Sequence, residues 1–227
     1  MFSLALHTAL TSISPHLQPG ETLLAYLDDL YVVSTPHRTV PIFNLLQANL
    51  DAHAGISLHL GKTRVWNAAG EEPTDIHLLQ PTPPAAPIWT GNWALPTNAQ
   101  GLQILGTPLG HPHYVAAALH DKHVAQAQLL TAIPTVEDTQ VAFLLLLFCG
   151  APRANYLLRT LPPSRTATYA ADHDAAVGQC LAHLINAGEP LPSLARMRAQ
   201  LPLTHGGLGL RSAFSTRHTA YWASWAD

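Results

Sequence analysis

Two hydrophobic periodicities follow one another at the start of the chain. Over residues 2–14, apolar side chains recur at three- and four-residue spacing, which predicts a helix. Residues 22–26 and 30–34 are then apolar, β-branched or aromatic, and they flank the polar pair Asp28-Asp29. Short apolar runs around a polar centre are typical of a β-hairpin, so we expect two adjacent carboxylates at its tip.

The pattern after this hairpin predicts further elements of mixed type. Thr39 is a candidate cap for a second helix, whose apolar stripe ends at Gly55. Residues 63–66 are a short strand candidate. Five prolines within 81–100 predict a loop, after which the apolar run 101–105 predicts another strand.

The rest of the chain has a helical pattern. Its helical stretches, separated by prolines, cover 115–132, 136–149, 164–186, 191–200 and 211–225. The apolar run Val-Ala-Phe-Leu-Leu-Leu-Leu-Phe-Cys at 141–149 is too short to cross a bilayer, and we expect it to form a buried helix. The predicted fold class is therefore α+β, with a mixed region at 1–110 and an all-helical region at 111–227.

Composition and charge exclude several classes of protein. With 48% hydrophobic and 11% charged residues among 227, the chain is not disordered. Two cysteines exclude a disulfide framework, and no basic residue precedes Arg38, so no signal peptide is predicted. We therefore expect an intracellular protein, cytoplasmic or nuclear, that has no membrane partner.

The net charge of −3 is unevenly distributed. Seven arginines but four acidic residues follow Gly150, which gives this part a positive balance. Contact with a phosphate backbone is one interpretation of that balance, and ordinary solvated helix surfaces are the other.

The pair Asp28-Asp29 is the strongest chemical signal in these residues. Two adjacent carboxylates repel each other unless cations or water neutralise them. Because side chains alternate along a strand, one of the two should ligate a metal ion while the other assists. Mg²⁺ would also need further carboxylates, water or substrate phosphates. The other interpretation is a turn in which aspartate is favoured for its hydrogen bonds to the backbone.

Four motifs in one order carry a resemblance to a protein family. Tyr-Leu-Asp-Asp at 26–29 resembles the Tyr-x-Asp-Asp motif of reverse transcriptases, the RNA-directed DNA polymerases, of non-LTR retrotransposons. Residues 1–7 resemble the preceding palm helix, and residues 54–66 resemble the helix, loop and strand that follow the motif. Residues 104–110, Ile-Leu-Gly-Thr-Pro-Leu-Gly, resemble the primer-grip hairpin. The four together are far more specific than Tyr-x-Asp-Asp by itself.

This resemblance implies a partial polymerase palm at 1–110 and a thumb-like region at 111–227. It implies a nucleotidyltransferase that extends a DNA primer on an RNA template by phosphoryl transfer with two Mg²⁺ ions.

The same resemblance implies roles for individual residues. Asp28 and Asp29 would bind the metal as catalytic residues, and Tyr26 would lie beneath the primer end. Lys62, the third catalytic candidate, would protonate or neutralise the leaving group. The primer strand would be seated on Ile104, Leu105 and Gly106.

The chain departs from the family at its start. The family's first catalytic aspartate lies on a strand upstream of the palm helix and after the nucleotide-binding fingers. Here the only carboxylate before Asp28 is Glu21. A metal pair held by a single hairpin lacks its defining ligand geometry, so we expect a palm and thumb fragment that is inactive by itself. A complementing chain, self-association, or a true start upstream of Met1 are the expectations that follow.

One alternative function stays open, and other motifs are set aside. A non-catalytic helical module that derives from a retroelement and binds nucleic acid or protein is the alternative. The sequence Gly61-Lys62-Thr63 lacks the spacing of a P-loop. The 14 histidines form no zinc pattern, so we expect them at the surface or half buried. Ser212, after a glycine turn, is expected to cap the last helix.

Overall fold

The computed structural model describes residues 2–80, 86–187 and 190–226, with side chains from Leu6 onward. The chain divides into two compact units, Met1–Leu102 and Gln103–Asp227, whereas the sequence placed the boundary after residue 110. Across the described residues, eight α-helices and two antiparallel hairpins form an α+β protein, as predicted. Assignment of the two units to a palm and a thumb stays a prediction.

The first unit is built on two helices and a hairpin. Its regular elements are α1 (Phe2–Ile13), β1 (Thr22–Tyr26), β2 (Asp29–Val33) and α2 (Thr39–Ala54). The two helices pack against each other and bury Leu6, Ala9 and Ile13 of α1 with Ile42, Leu46 and Leu50 of α2. One face of the hairpin closes this core through Leu23, Leu30 and Val32. The apolar stripes predicted on the two helices are therefore the faces that the helices bury.

The sequence predicted the C-terminal end of α2 correctly but not its N-terminal cap. Gly55 ends the helix in the left-handed conformation, with φ of 62°, and its amide donates to the Asp51 carbonyl at 3.0 Å. The prediction that Thr39 caps the helix is wrong, because Thr39 is already its first residue. The short 3-10 turn Pro36–Arg38 runs directly into α2, so the preceding Arg38 has helical dihedrals and provides no side-chain cap.

The segment after α2 has little regular structure. The strand predicted at 63–66 is wrong beyond a single parallel bridge between Val65 and Trp89. In this bridge Val65 donates to the Ile88 carbonyl at 2.8 Å and accepts from the Thr90 amide at 2.9 Å. Of the predicted proline loop, residues 81–85 lie outside the described residues, and residues 86–96 form no helix or strand.

The remaining elements begin with the second hairpin. They are β3 (Gly101–Ile104), β4 (Thr107–Gly110), α3 (Pro112–Ala132), α4 (Thr139–Leu145), α5 (Asn155–Thr160), α6 (Pro163–Leu184), α7 (Ser193–Gln200) and α8 (Ala213–Trp225). The boundary between the two units lies within β3. Helix α6 is central, because it packs against α3 and α8 and contributes to both core clusters of the second unit. The hydrophobic pattern predicted neither β4 nor α5, although the resemblance of residues 104–110 to a primer-grip hairpin implied a hairpin here. Ser212 caps α8 as predicted, since its hydroxyl accepts from the Ser215 amide at 3.0 Å.

Helices α4 and α5 are joined into one helical run, Thr139–Thr160, by a π-helical segment and a 3-10 segment. One side of the run is buried at Ala142, Leu146 and Ala154. The opposite side is exposed, with 69% of Phe148 accessible, so the prediction of a buried helix at 141–149 is wrong for that side. An all-apolar stretch has no polar positions to mark an exposed face, which is why the pattern could not reveal it.

This run is also the one described helix that is long and apolar enough to cross a membrane, with a mean hydropathy of 1.6 over its most apolar window. A third of that window is buried inside the protein. A core helix of a soluble protein meets the same criteria, and the buried side of this run belongs to a core cluster.

Candidate functional site

The first hairpin has an unusually tight tip. Strand pairing runs from Thr22 opposite Val33 to Tyr26 opposite Asp29, which leaves Leu27 and Asp28 as a two-residue turn. Leu27 has φ of 55°, a left-handed conformation that non-glycine residues rarely adopt. The sequence thus predicts the hairpin correctly, and the structure places one of the two aspartates in the turn and the other at the start of β2.

The hairpin presents an aromatic and apolar face away from the core. Because side chains alternate along a strand, Asp29 shares one face with Tyr31, and their cross-strand neighbours Tyr26 and Leu24 lie on that face as well. Tyr26 is 58% exposed and Leu24 is 55% exposed. This face therefore combines the Asp29 carboxylate with the exposed ring of Tyr26 and the half-buried ring of Tyr31. Such a surface can bind a ligand that has both a cationic and a planar part.

The two carboxylates have different surroundings. The Asp29 carboxylate accepts a hydrogen bond from the Tyr31 hydroxyl at 3.1 Å. Asp28 is exposed, and among the described residues its side chain has no hydrogen-bond partner. The tip therefore holds one carboxylate that is hydrogen-bonded to a tyrosine and a second that is open to solvent. The expectation that one of them ligates a metal ion while the other assists stays a prediction.

These two side chains by themselves do not complete a magnesium site. Mg²⁺ takes an octahedral set of oxygen ligands. Within the ranges that the structure describes, no group of three or more His, Cys, Asp or Glu side chains converges on one point. Asp28 and Asp29 can supply part of a ligand set, with the remainder from another source, and no reaction step follows from them unaided.

The third catalytic candidate, Lys62, lies in an exposed turn after α2. Its backbone amide donates to the His59 carbonyl at 2.9 Å. Among the residues described, the one ion pair joins Arg38 to Glu21 at 2.9 Å, so Lys62 forms none with the aspartates of the hairpin. The hydrogen bond from Arg38 lowers the pKa of Glu21, which commits the one acidic residue upstream of the hairpin to a structural role.

The second hairpin carries the residues predicted to seat a primer. Leu105 and Gly106 form its two-residue turn, and both have positive φ, 49° and 83°. The Tyr156 hydroxyl donates to the Leu105 carbonyl and accepts from the Thr107 hydroxyl at 3.2 Å. Leu105 is 43% exposed, while Ile104 and Gly106 are half-buried. Tyr156 thus fixes this turn, a role that the sequence did not reveal because the two lie 51 residues apart.

A buried polar cluster in the second unit also escaped sequence reasoning. His173 is 2% exposed, its Nε2 lies 3.0 Å from the Ala151 carbonyl, and its Nδ1 has no partner. Burial lowers the pKa of His173. Tyr169, one turn earlier on α6, bonds the Gln126 side chain at 2.8 Å, and burial raises its pKa. The prediction that the histidines are exposed or half-buried is wrong for His173.

The candidate residues therefore fall into separate places. Asp28, Asp29, Tyr26 and Lys62 belong to the first unit, and the turn of the second hairpin belongs to the second. A comparison with family models, curated proteins and solved structures finds no match to this chain. The reverse-transcriptase resemblance is consequently carried by the sequence motifs.

Proposed function

We propose that this chain carries one metal-binding arm of a polymerase palm, together with a thumb, and that the palm resembles that of non-LTR reverse transcriptases. The observation that supports this most is the tip of the first hairpin. It presents Asp28, in the two-residue turn, and Asp29, the first residue of β2, to solvent beside the exposed ring of Tyr26.

The main competing explanation for the aspartate pair is a structural one. Aspartates favoured by a turn accept hydrogen bonds from nearby backbone amides. Within the described part of the chain, neither Asp28 nor Asp29 accepts such a bond, and the partner of Asp29 is a tyrosine hydroxyl. The carboxylates therefore do not stabilise their own turn, which favours a role toward a ligand.

The residues of this arm would contribute to metal, base and phosphate binding. Mg²⁺, when bound with phosphate oxygens and further carboxylates, would stabilise the charge that develops during phosphoryl transfer. Asp28 and Asp29 would contribute part of its ligand set. Tyr26, with more than half of its side chain accessible, offers a face on which a base or sugar can stack. Lys62 is an exposed cation in the same unit that can neutralise phosphate charge.

The arginines of the second unit support contact with nucleic acid. Six of them are exposed: Arg153, Arg159, Arg165, Arg196, Arg198 and Arg211. The one ion pair within the described ranges is Arg38 with Glu21, so none of the six forms an ion pair with a described carboxylate. Unpaired guanidinium groups are suited to phosphates, and each such contact makes binding weaker as salt rises.

Primer extension on an RNA template in Mg²⁺ tests the catalytic part of the proposal. We expect no extension by the chain itself, and extension once a separate polypeptide supplies fingers and the first catalytic aspartate. Asp28→Asn should abolish that complemented activity, whereas Asp51→Asn, an exposed aspartate on α2, should leave it intact. Complemented activity that survives Asp28→Asn would refute the assignment of Asp28.

Binding of a primer–template duplex, measured by fluorescence anisotropy over a range of salt concentrations, separates this function from the alternative. A polymerase arm should bind the duplex more tightly with Mg²⁺, and Asp28→Asn should remove that gain. A non-catalytic nucleic-acid-binding module should bind equally with or without Mg²⁺. A module that binds only protein should not bind the duplex at all.

A further inference from the structure

The last helix, α8, has small side chains toward the core and large ones on its outer side. Ala213 and Ala220 pack into a core cluster of the second unit. On the other side, 42% of Phe214, 69% of Trp222 and 67% of Trp225 are accessible to solvent. Rings of this size favour burial, so their exposure together on one helix marks a binding surface.

The exposed rings follow one side of the helix. Three rings and an imidazole recur at three- or four-residue spacing, at Phe214, His218, Trp222 and Trp225. The half-buried Tyr221 ring has its centroid 6.3 Å from that of Trp222 and 6.0 Å from that of Trp225. The planes of these two pairs are inclined by 74° and 47°, so neither pair stacks face to face. Flat indole surface therefore stays open to a ligand.

A guanidinium group extends this row of planar groups. The Arg217 guanidinium carbon lies 3.8 Å from the centroid of the Phe214 ring, and its Nη1 donates to the Phe214 carbonyl. Within the described ranges Arg217 forms no ion pair, so its charge is available to an anion. We call the following residues the outer face of α8: Phe214, Arg217, His218, Tyr221, Trp222 and Trp225.

The charge around the outer face of α8 is positive. From residue 206 to residue 226 the sequence has two arginines, one histidine and no Asp or Glu. Asp174 of α6 reaches the start of α8, but its carboxylate already accepts from two amides of the first turn. Asp227 follows in the sequence and lies outside the described residues. The charge of the outer face is thus complementary to a phosphate chain.

The side chains of this segment also distinguish between classes of partner. Residues 211–226 include no Leu, Ile, Val or Met, so every large apolar side chain among them is aromatic. A protein groove or a lipid surface stabilises any buried apolar area, aliphatic or aromatic. A nucleobase stacks specifically on flat rings and guanidinium planes, and the phosphates between bases favour cations. Rings and cations without aliphatic side chains or carboxylates therefore fit nucleic acid best.

We propose that the outer face of α8 binds unpaired nucleotides of a single-stranded nucleic acid, with bases stacked on Trp222 and Trp225 and a phosphate at Arg217. Bases within a duplex already stack on their neighbours, so they offer these rings no free face. The proposal rests on the nucleic-acid contact proposed above for the second unit, and it goes beyond it because neither Asp28 nor a metal ion takes part.

Fluorescence anisotropy of the full chain tests the stacking, with labelled oligouridine RNA and oligothymidine DNA of about twelve nucleotides as probes. Trp222→Leu should raise the Kd for the single strands by about five- to a hundredfold, whereas Trp222→Phe should keep most of the affinity because a ring remains. Trp93→Leu, at a 71% exposed position in the first unit, is the matched control and should change nothing. Because Trp222 is exposed, its variants should fold.

The leucine and phenylalanine variants separate stacking from plain apolar contact. A loss on both probes supports the proposal, and the probe with the larger loss identifies RNA or DNA as the preferred strand. No binding of either probe, or a Kd that Trp222→Leu leaves unchanged, would overturn it. So would an equal loss of affinity for a blunt duplex, or self-association or binding to anionic lipid vesicles in place of oligonucleotide binding.

Salt dependence tests the phosphate contact separately. Arg217→Gln should lower the slope of log Kd against log salt by about 0.7, and Trp222→Leu should leave that slope unchanged. A slope that Arg217→Gln does not alter would overturn the placement of a phosphate there. Asp28→Asn should leave oligouridine binding intact, while Trp222→Leu should leave intact the gain in duplex affinity expected with Mg²⁺. Failure of this proposal can therefore be distinguished from failure of the proposed polymerase function.

Discussion

At the scale of single residues, His173 is the most unusual side chain of the second unit. It lies fully inside the protein, and burial holds its pKa below the ordinary value of 6.5. The nearby His123 lowers it further, while the Ala151 carbonyl and Asp174 raise it, with burial dominant. The folded protein therefore keeps His173 neutral at a pH at which the unfolded chain protonates it.

This difference gives a prediction about stability and pH. The unfolded state binds more protons between the lowered pKa and pH 6.5, so the free energy of unfolding should fall as pH falls through that window. His173→Gln can retain a donor to the Ala151 carbonyl without a titrating group, and it should flatten this dependence. Urea unfolding at pH 7, 6 and 5 measures the slope. His218→Gln, at an exposed position, is the control and should keep the original slope.

At the scale of elements, the start of α8 depends on a residue from another helix. Asp174 of α6 accepts from the Ser212 hydroxyl at 2.6 Å and from the amides of Ala213 at 2.7 Å and Phe214 at 3.1 Å. These amides belong to the first turn of α8, where a helix lacks internal acceptors. A carboxylate at this end also interacts favourably with the helix dipole.

We therefore expect Asp174→Ala to lower the free energy of unfolding by about 1–3 kcal/mol and Ser212→Ala by about 1 kcal/mol. Because the two side chains share a hydrogen bond, the double variant should lose less than the sum. Urea denaturation of all three variants checks this. Asp172→Ala, an exposed position on the same helix, should change stability little, and an equal loss there would contradict the capping role.

The turn of the second hairpin provides a prediction in the stabilising direction. Leu105 adopts φ of 49° before Gly106, a combination for which Asn-Gly is the favoured sequence. Leu105→Asn should therefore raise the free energy of unfolding by about 0.5–1 kcal/mol. Leu109 on β4 is equally exposed, 43%, without the positive φ. Leu109→Asn should give no gain in stability. Thermal unfolding of both variants shows whether a gain comes from relief of the left-handed backbone at residue 105 or merely from replacement of an exposed leucine by a polar residue.

The elements that sequence predicted well are those with local causes. The hairpin tip at Asp28-Asp29, the left-handed Gly55 and the Ser212 cap each depend on neighbouring residues, so they can be read from short segments. The exposed side of the helical run and the burial of His173 depend on which distant elements pack nearby. The hydrogen bond from the Tyr156 hydroxyl to the turn of the second hairpin likewise joins positions far apart in the chain. The position of Asp28 and Asp29 at a hairpin tip could thus be predicted from the sequence, whereas contacts between distant elements could not.

At the scale of the whole molecule, the cores of the two units draw on separate stretches of chain. The clusters of the first unit use residues between Leu6 and Trp89, and those of the second use residues between Tyr114 and Ala220. Since stability resides mainly in buried apolar contacts, each unit contains the interactions that hold it together.

Independent cores predict independent unfolding. Leu50→Ala, at a position 1% exposed in the first unit, should destabilise that unit by about 2–5 kcal/mol and leave the second unchanged. Leu158→Ala, fully buried in the second unit, should do the reverse. Hydrogen exchange followed by mass spectrometry reports the protection of both units in one experiment. A loss of protection that spreads equally over both units after either substitution would show that the chain unfolds as a single cooperative body, with its stability shared across the boundary near residue 102.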